Sequence, residues 1–451
     1  MPPPRPPDSY PWHLRFRRAL MLGAAAAILL RAGAASALDL DYANGLDTET
    51  IARRDRNGTY DNASRFGAQR VAERDRKEFG PDGLRAGSYL VYPSLGTAVV
   101  FDDNIFGSNA NRQSDMRAEI RPEVTFRSQL PRHKLDLSLG GKIVEYVEHT
   151  DQSYADAHAS ATGALHFDAA HTLSASLMTS LEHEERQDST SYRFAIEPAQ
   201  VWHNKAAVGI TRDVGRLYGT LSGTWEAWKY YDVAVSTGGT AAQSQRDLDA
   251  FSALVSAGYR ISPGFDAIAR ARLTRFLNDG EGAVSRSGMG YEALAGLSFQ
   301  ANPLVRLRLM GGWGVRDFDQ AGLATAQSWL AEGELQWLVT QTLTFYATAG
   351  RGIVDQLAAD GTSYTETSLK ARLEYELWHN VVLNMGAGYV EADFGGSERS
   401  DRTYTGKLGV DYYANKNWLF TFGYEHQIRE STDASRDMTR DRYTVGAKLR
   451  F

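Results

Sequence analysis

The sequence predicts an all-β fold: a transmembrane, antiparallel, up-and-down β-barrel of about 18 strands behind a flexible N-terminal periplasmic segment. Three observations lead there. First, apolar and polar residues alternate strictly. In "SLKARLEYELW", Leu369, Ala371, Leu373, Tyr375 and Leu377 fall on one face, and Lys370, Arg372, Glu374 and Glu376 on the other. Second, short turns alternate with long polar loops along the chain. Third, mean hydropathy is -0.40. After the N-terminus no apolar run reaches the roughly 20 residues that a transmembrane helix needs.

The chain begins with a candidate export leader. Arg15, Arg17 and Arg18 precede "ALMLGAAAAILL", and Ala35 and Ala37 form a small-residue cleavage site, which puts a signal peptide at residues 1–37. Arg31 interrupts the apolar region, and Arg17-Arg18 reads as an ordinary basic flank rather than a twin-arginine signal. Cleavage removes five arginines and one aspartate, taking the formal charge from -6 to -10. An acidic surface argues against nucleic acid as a partner. Cysteine is absent. That removes disulfides, thiolate metal sites and cysteine nucleophiles.

Residues 38–85 are dense in charge and poor in apolar side chains. They read as a flexible periplasmic arm, with a plug or partner-binding segment as the alternative. The barrel is expected over 86–451. "LVRLRLMGGW" sets Val305, Leu307, Leu309 and Trp313 against Arg306 and Arg308. "AIARARLTRF" sets Ala269, Ala271 and Leu273 against Arg270, Arg272 and Thr274. "NWLFTFGYEHQ" sets Trp418, Phe420, Phe422 and Tyr424 against Thr421 and Glu425. Short turns recur at Pro131, Ala170, Gly215, Pro263, Pro303, Thr340, His379 and Asn415, with longer loops between them. In outer-membrane barrels short turns face the periplasm and long loops face outside, and an even strand number puts both mature termini on the periplasmic side. Trp337, Trp378, Tyr412, Tyr413 and Trp418 flank short turns and suggest an aromatic girdle. The last stretch, with Tyr443, Val445, Ala447, Leu449 and Phe451 on alternate positions, resembles the C-terminal signal read by the barrel assembly machinery.

The stretch "VAERDRKEFGPDGLRAGSYLVYPSLGTAVVFDDNIF" resembles the start of a proteobacterial family called putative beta-barrel porin 2. The likeness lies in the Arg-rich run before "GPDGLRAGSY", the strand at Tyr92–Gly96 and Asp102-Asp103-Asn104. It continues at Arg121-Pro122 and Arg132-His133; Phe101 stands where the family leads one to expect Tyr. The resemblance implies a barrel and, because members are often encoded beside exopolysaccharide genes, polysaccharide traffic. It implies no catalytic residue.

Other chemistry is thinly signalled. Asp102, Asp103 and Asn104 carry calcium-type oxygen ligands, but Asp and Asn also start loops. His183 among Glu182, Glu184 and Glu185 reads as a solvated acidic loop rather than a metal site. No G-x-S-x-G elbow is present. No catalytic, cofactor or metal residue is assigned, and the chain is not read as an enzyme. The inward charges Arg270, Arg272, Arg306, Arg308, Lys370, Arg372, Glu374 and Glu376 carry more information. Together they predict a polar, water-accessible lumen; singly, each fits a cross-strand ion pair in the wall. The expected partners are outer-membrane lipid, the barrel assembly machinery, and small hydrophilic solutes or an acidic polysaccharide. Three functions compete: a porin-like pore or export channel; an envelope anchor that docks periplasmic components through residues 38–85; and a barrel enzyme acting on lipid or glycan. Loops such as 231–247 are long enough to fold into the lumen.

Overall fold

The computed structural model describes residues 70–71, 74, 76–187, 191–192, 194–236, 238–278, 284–355, 363–395 and 397–451. The candidate leader at residues 1–37 and residues 38–69 lie outside them. Eighteen strands form one closed antiparallel sheet. They are β1 Tyr89–Asp102, β2 Asp115–Ser128, β3 Lys134–Tyr146, β4 Tyr154–His166, β5 His171–His183 and β6 Gln200–Val214. Next come β7 Leu217–Tyr230, β8 Leu248–Ser262, β9 Phe265–Leu277, β10 Gly288–Asn302, β11 Val305–Phe318 and β12 Ala326–Thr340. The last six are β13 Leu343–Asp355, β14 Ser363–Trp378, β15 Val381–Phe394, β16 Ser400–Tyr413, β17 Trp418–Ser431 and β18 Met438–Arg450. Each strand pairs with the next, and β18 returns to β1, with Ser94 opposite Arg450 and Val99 opposite Val445. Closure satisfies every edge, which a bilayer demands because it offers no water to an unpaired backbone group.

The strands run 13 to 16 residues. At about 3.3 Å per residue and a tilt near 40°, each spans roughly 33–40 Å, enough to cross a hydrocarbon core. Alternation then decides the two faces. Leu177, Leu221, Leu309, Leu369, Leu408 and Val445 are each more than half exposed on the outer wall. Such a continuous apolar surface would be a liability in water and is the required surface in lipid.

The eight connections at one end are short, and their chemistry is visible. The Asn302 carboxamide oxygen accepts from the backbone of Leu304 and Val305, and that of Asn415 accepts from Asn417 and Trp418. Gly215 and Gly264 supply the positive φ that tight turns need (61° and 77°). The nine connections at the opposite end are longer on the whole. Residues 76–88 and Phe451 both lie at the turn end: the Phe451 backbone N–H donates to the Pro93 carbonyl, and Leu84–Ala86 pairs back onto the start of β1.

The girdle expectation holds for four of its five residues. Trp337, Trp378, Tyr412 and Trp418 are exposed on the outer wall beside the short turns. Tyr413 is buried. It follows Tyr412 directly, so the period of two turns it inward, on the same side as Asp411 and Lys407.

Candidate functional site

The inner wall and the two mouths form the candidate site. The alternation that puts Leu273 and Trp313 outside puts the predicted charges inside, and most meet a carboxylate there. Arg270 bonds Glu332 three strands away, from β9 to β12, a contact that the concave side of the sheet permits. Arg272 lies 3.5 Å from Glu292, Arg308 lies 3.0 Å from Glu334, and Arg372 lies 2.5 Å from Glu374. Arg306 and Lys370 share that face. Glu376 differs from the rest. It receives Arg74 and Arg76 from the N-terminal segment, each at 2.8 Å.

Sequence reasoning missed the acidic partners Glu292, Glu332 and Glu334, which lie 20 to 62 residues away from their arginines. It also missed an apolar patch on the same wall. Ile268, Leu294, Met310 and Leu330 cluster with Tyr218, whose hydroxyl donates to Asp266 at 2.9 Å. The small residue Gly258 makes room for the Tyr218 ring, which lies where a Cβ would stand.

Across from this patch, β18, β1 and β2 carry an ionic belt. Arg440 grips the fully buried Asp102 through Nε, 3.0–3.1 Å from both carboxylate oxygens, and through Nη2 at 2.5 Å. Arg117 bonds Glu119 and the Tyr146 hydroxyl at 2.8 and 2.9 Å. Glu425 takes Lys407 at 2.6 Å and Arg442 at 2.9 Å. Asp102 is therefore a wall residue held by an arginine. Its Oδ1 also accepts from the Asn104 backbone, as a loop starter does.

The acidic stretch at His183 is not a solvated loop. Residues 184–187 fold inward, and Glu185 reaches within 3.8 Å of Arg440 and 3.9 Å of Arg442. Enclosure pushes the Glu185 carboxyl upward, but Arg440, Arg442, Arg117 and Lys142 outweigh this and hold it well below the ordinary carboxylate range. The Gln187 amide donates to the Ile105 carbonyl at 2.9 Å, and Arg429 donates to the Gln187 carbonyl. From the loop 231–247, Arg246 pairs with Glu184 and lies 3.9 Å over the Tyr230 ring. His183 itself bonds Asp156 at 2.8 Å. Among the described residues no His, Asp and Glu group is arranged to hold a metal ion.

At the turn end, the described part of the N-terminal segment forms a strap along the inside of the rim. The Val71 N–H donates to Thr344 Oγ1 at 3.1 Å, and its side chain packs with Val382, Tyr413 and Leu419. Arg76 also donates to the carbonyls of His379 and Val71, at 3.2 and 2.8 Å. Lys416 pairs with Asp82 at 2.8 Å, and Arg450 donates to the Phe79 carbonyl at 2.9 Å. These contacts fall on β13 to β18, a third of the wall, so the strap narrows the mouth along one side.

Among solved structures, the outer membrane protein opdK from Pseudomonas aeruginosa is 13% identical, with a TM-score of 0.43, over 80% of this chain and 99% of its own. A BenF-like porin from Pseudomonas fluorescens Pf-5 is 10% identical, with a TM-score of 0.45, over 80% and 99%. The siderophore receptor PiuA from Acinetobacter baumannii is 9% identical, with a TM-score of 0.44, over 82% of each chain. These likenesses are too distant to carry a function. No curated protein matches the chain. The family comparison is decisive: the model described as "Putative beta-barrel porin 2" matches residues 77–451, and the chain belongs to that family of porin-like outer-membrane barrels.

Proposed function

We propose that the chain is a pore for small hydrophilic solutes in the outer membrane of a Gram-negative bacterium, with its turn end and both mature termini in the periplasm. The carrying observation is the closed barrel of eighteen strands with a polar, ion-laced inner wall. A barrel of 16–18 strands is wide enough to leave an aqueous path, and rings of fixed charge along that path select ions. The inward turn of residues 184–187 and the strap at the turn end narrow the path without requiring a dedicated plug domain. Small solutes suit such a path better than a polymer. Export of an acidic polysaccharide is the narrower form of the reading, and it requires the strap to swing aside. In this reading the outward-facing Tyr443, Val445, Ala447 and Leu449, with Phe451, serve as the signal read by the assembly machinery, and the chain works without catalysis.

Single-channel recording of the refolded mature chain in a planar bilayer, across a salt gradient, tests the proposal. Steady conductance with anion preference supports it. A silent barrel, shown to be inserted by heat-dependent gel mobility, overturns it. A silent barrel would favour the envelope-anchor reading, which has its own support: the described part of the N-terminal segment, from Arg70, is fastened along the turn-end rim. Deleting residues 40–69 would then abolish partner association and leave insertion intact.

A further inference from the structure

On the outer wall, β12 to β15 carry a trough of about 480 Å³ where the apolar cover is thin. Its floor is Gly333, Ala347, Ala349, Ala371 and Ala387, set side by side by the register. Gly333 stands opposite Ala349, Ala347 opposite Ala371, and Ala371 opposite Ala387. Leu309 and Leu369, both more than half exposed, form its banks. Surface left without contact partners forfeits dispersion energy, so in a bilayer a hydrocarbon chain fills such a trough. Above it stands a cation that no acid of the wall matches. Arg351 lies two residues beyond Ala349 on the same face of β13. At strand rise and tilt it is roughly 20 Å above Leu343, near the upper edge of an apolar band about 25 Å tall. The rings of Tyr389 and Tyr404, 5.3 Å apart, mark the same edge. Arg351 donates to Thr367 Oγ1 and lies 4.7 Å from the centroid of Trp329. Its Nε is buried without a hydrogen-bond partner. Among the described residues no carboxylate pairs with it. Glu391, next in its row beyond Thr367, is taken by Arg402 at 2.8 Å. Arg275 and Arg402, outward arginines toward the same end, each hold a carboxylate. A guanidinium at the edge of the hydrocarbon is costly unless an anion joins it.

We propose that Arg351 and the trough form a binding site for one phosphate-bearing lipid of the loop-end leaflet. An acyl chain lies in the trough, and the headgroup phosphate completes the hydrogen bonds and balances the charge of Arg351. The size falls within the range of small-molecule sites. The fork of a guanidinium matches a phosphate, and the Trp329 ring beneath holds it flat. A second copy of the chain fits less well. A two-fold interface sets the same patch against itself, so it would bring Arg351 toward Arg351 without an acid between them. The site sets this sector apart from wall that merely touches lipid, because both its shape and its charge ask for one molecule. The inference rests on the outer-membrane reading for its ligand and needs no conduction.

The test is native mass spectrometry of the refolded mature chain in detergent, titrated with dimyristoyl phosphatidic acid, with dimyristoylglycerol and with glycerol 3-phosphate. Saturable uptake of one phosphatidic acid per barrel is expected, with affinity about tenfold lower for the diacylglycerol, which lacks the charge-assisted bond. Glycerol 3-phosphate, which has no chain, should not bind. Arg351→Gln should weaken phosphatidic acid about tenfold and leave the diacylglycerol as it was, while Arg351→Lys, which keeps a point charge, should weaken it about threefold. Ala371→Leu fills the trough and should weaken both lipids. Heat-dependent gel mobility checks that the variants fold. Equal uptake by wild type and Arg351→Gln, or uptake without saturation, overturns the site. Glycerol 3-phosphate binding as tightly as the lipid overturns it in favour of a free-phosphate site. A dimer that Ala371→Leu splits overturns it in favour of a second copy in the trough. A conducting barrel that fails these tests loses the site and keeps the pore; a silent barrel that passes them keeps the site and loses the pore.

Discussion

The chain narrows both of its own mouths, and it does so by different means. At the loop end, residues 184–199 are tethered on both sides, to β5 and β6, and Glu185 enters a ring of cations from β2, β3 and β18. At the turn end, the described strap begins at Arg70 and runs into β1. It is held by Arg74 and Arg76 on Glu376, by the exposed Lys416–Asp82 pair, and by hydrogen bonds from Val71 to Thr344 and from Arg450 to Phe79. A loop closed at both ends has little conformational freedom to regain by leaving. A segment held to the rim by side-chain contacts regains the entropy of every residue it releases. The expected order of release is therefore strap first and loop last.

The largest predicted effect comes from breaking the fixed mouth. Arg440→Ala removes the arginine that grips the fully buried Asp102 and one of the two closest cations of Glu185. Leaving a buried charge uncompensated costs about 3–5 kcal/mol. The temperature at which the folded band converts to the unfolded band on a gel should drop clearly. An unchanged transition would show that the belt does not hold the loop end.

Glu376→Gln is the matching cut at the other mouth, and its expected consequence is different. Arg74 and Arg76 lose their shared carboxylate, but both can follow the strap into water instead of remaining buried. The cost is capped by strap release, so the gel transition should stay near wild type. Tryptic cleavage after Arg76 and Lys77 should rise several-fold. If the barrel loses stability as much as in Arg440→Ala, the strap is part of the wall and the contrast fails.

Much of this architecture was legible because a bilayer enforces period two. Lys370 through Glu376 could be assigned to the inner face from "SLKARLEYELW" alone, and the alternation of short and long connections yielded the strand number. The same rule would have turned Tyr413 inward, had it been counted from Asp411 instead of judged by its closeness to a turn. Other features had no local signal. Nothing near Glu185 in the sequence points to Arg440, more than 250 residues on, so the loop read as solvated. The Arg270–Glu332 pair depends on the curvature of four strands, which no strand encodes by itself. The apolar patch of Ile268, Leu294, Met310 and Leu330 was hidden for a related reason: one apolar residue among inward polar ones looks like noise until the register stacks four of them.

A smaller effect sharpens the assignment of the fixed constriction. Glu185→Gln keeps the shape of the side chain and removes its charge. The loop remains tethered at both ends and keeps the Gln187–Ile105 contact, at 2.9 Å, and the Arg246–Glu184 pair. The barrel should fold as before. With one attachment neutralised, the loop should sample more positions, seen as added current noise in single-channel records with little change in mean conductance. Noise equal to wild type would mean that Gln187 and Glu184 alone set the loop.

The smallest expected effect is the response of the loop mouth to acid, and its sign follows from the direction of the Glu185 shift. The carboxyl is depressed in the folded protein. A group of that kind contributes stability that is fully present above its unfolded value, near about 4.3 for a glutamate. The contribution is lost only as pH falls toward the lower folded value. Between pH 7 and pH 5 the cation ring should therefore hold Glu185 ionised, and the loop should stay where it is. Single-channel noise in wild type should be flat across that window. Wild type and Glu185→Gln should differ by the same amount at both ends of it, because the charge that distinguishes them is still present. If wild-type noise instead climbs to the variant level by pH 5, Glu185 is taking up a proton in the working range. The loop mouth would then be a pH-responsive element, and the contrast between loop and strap would fail in acid.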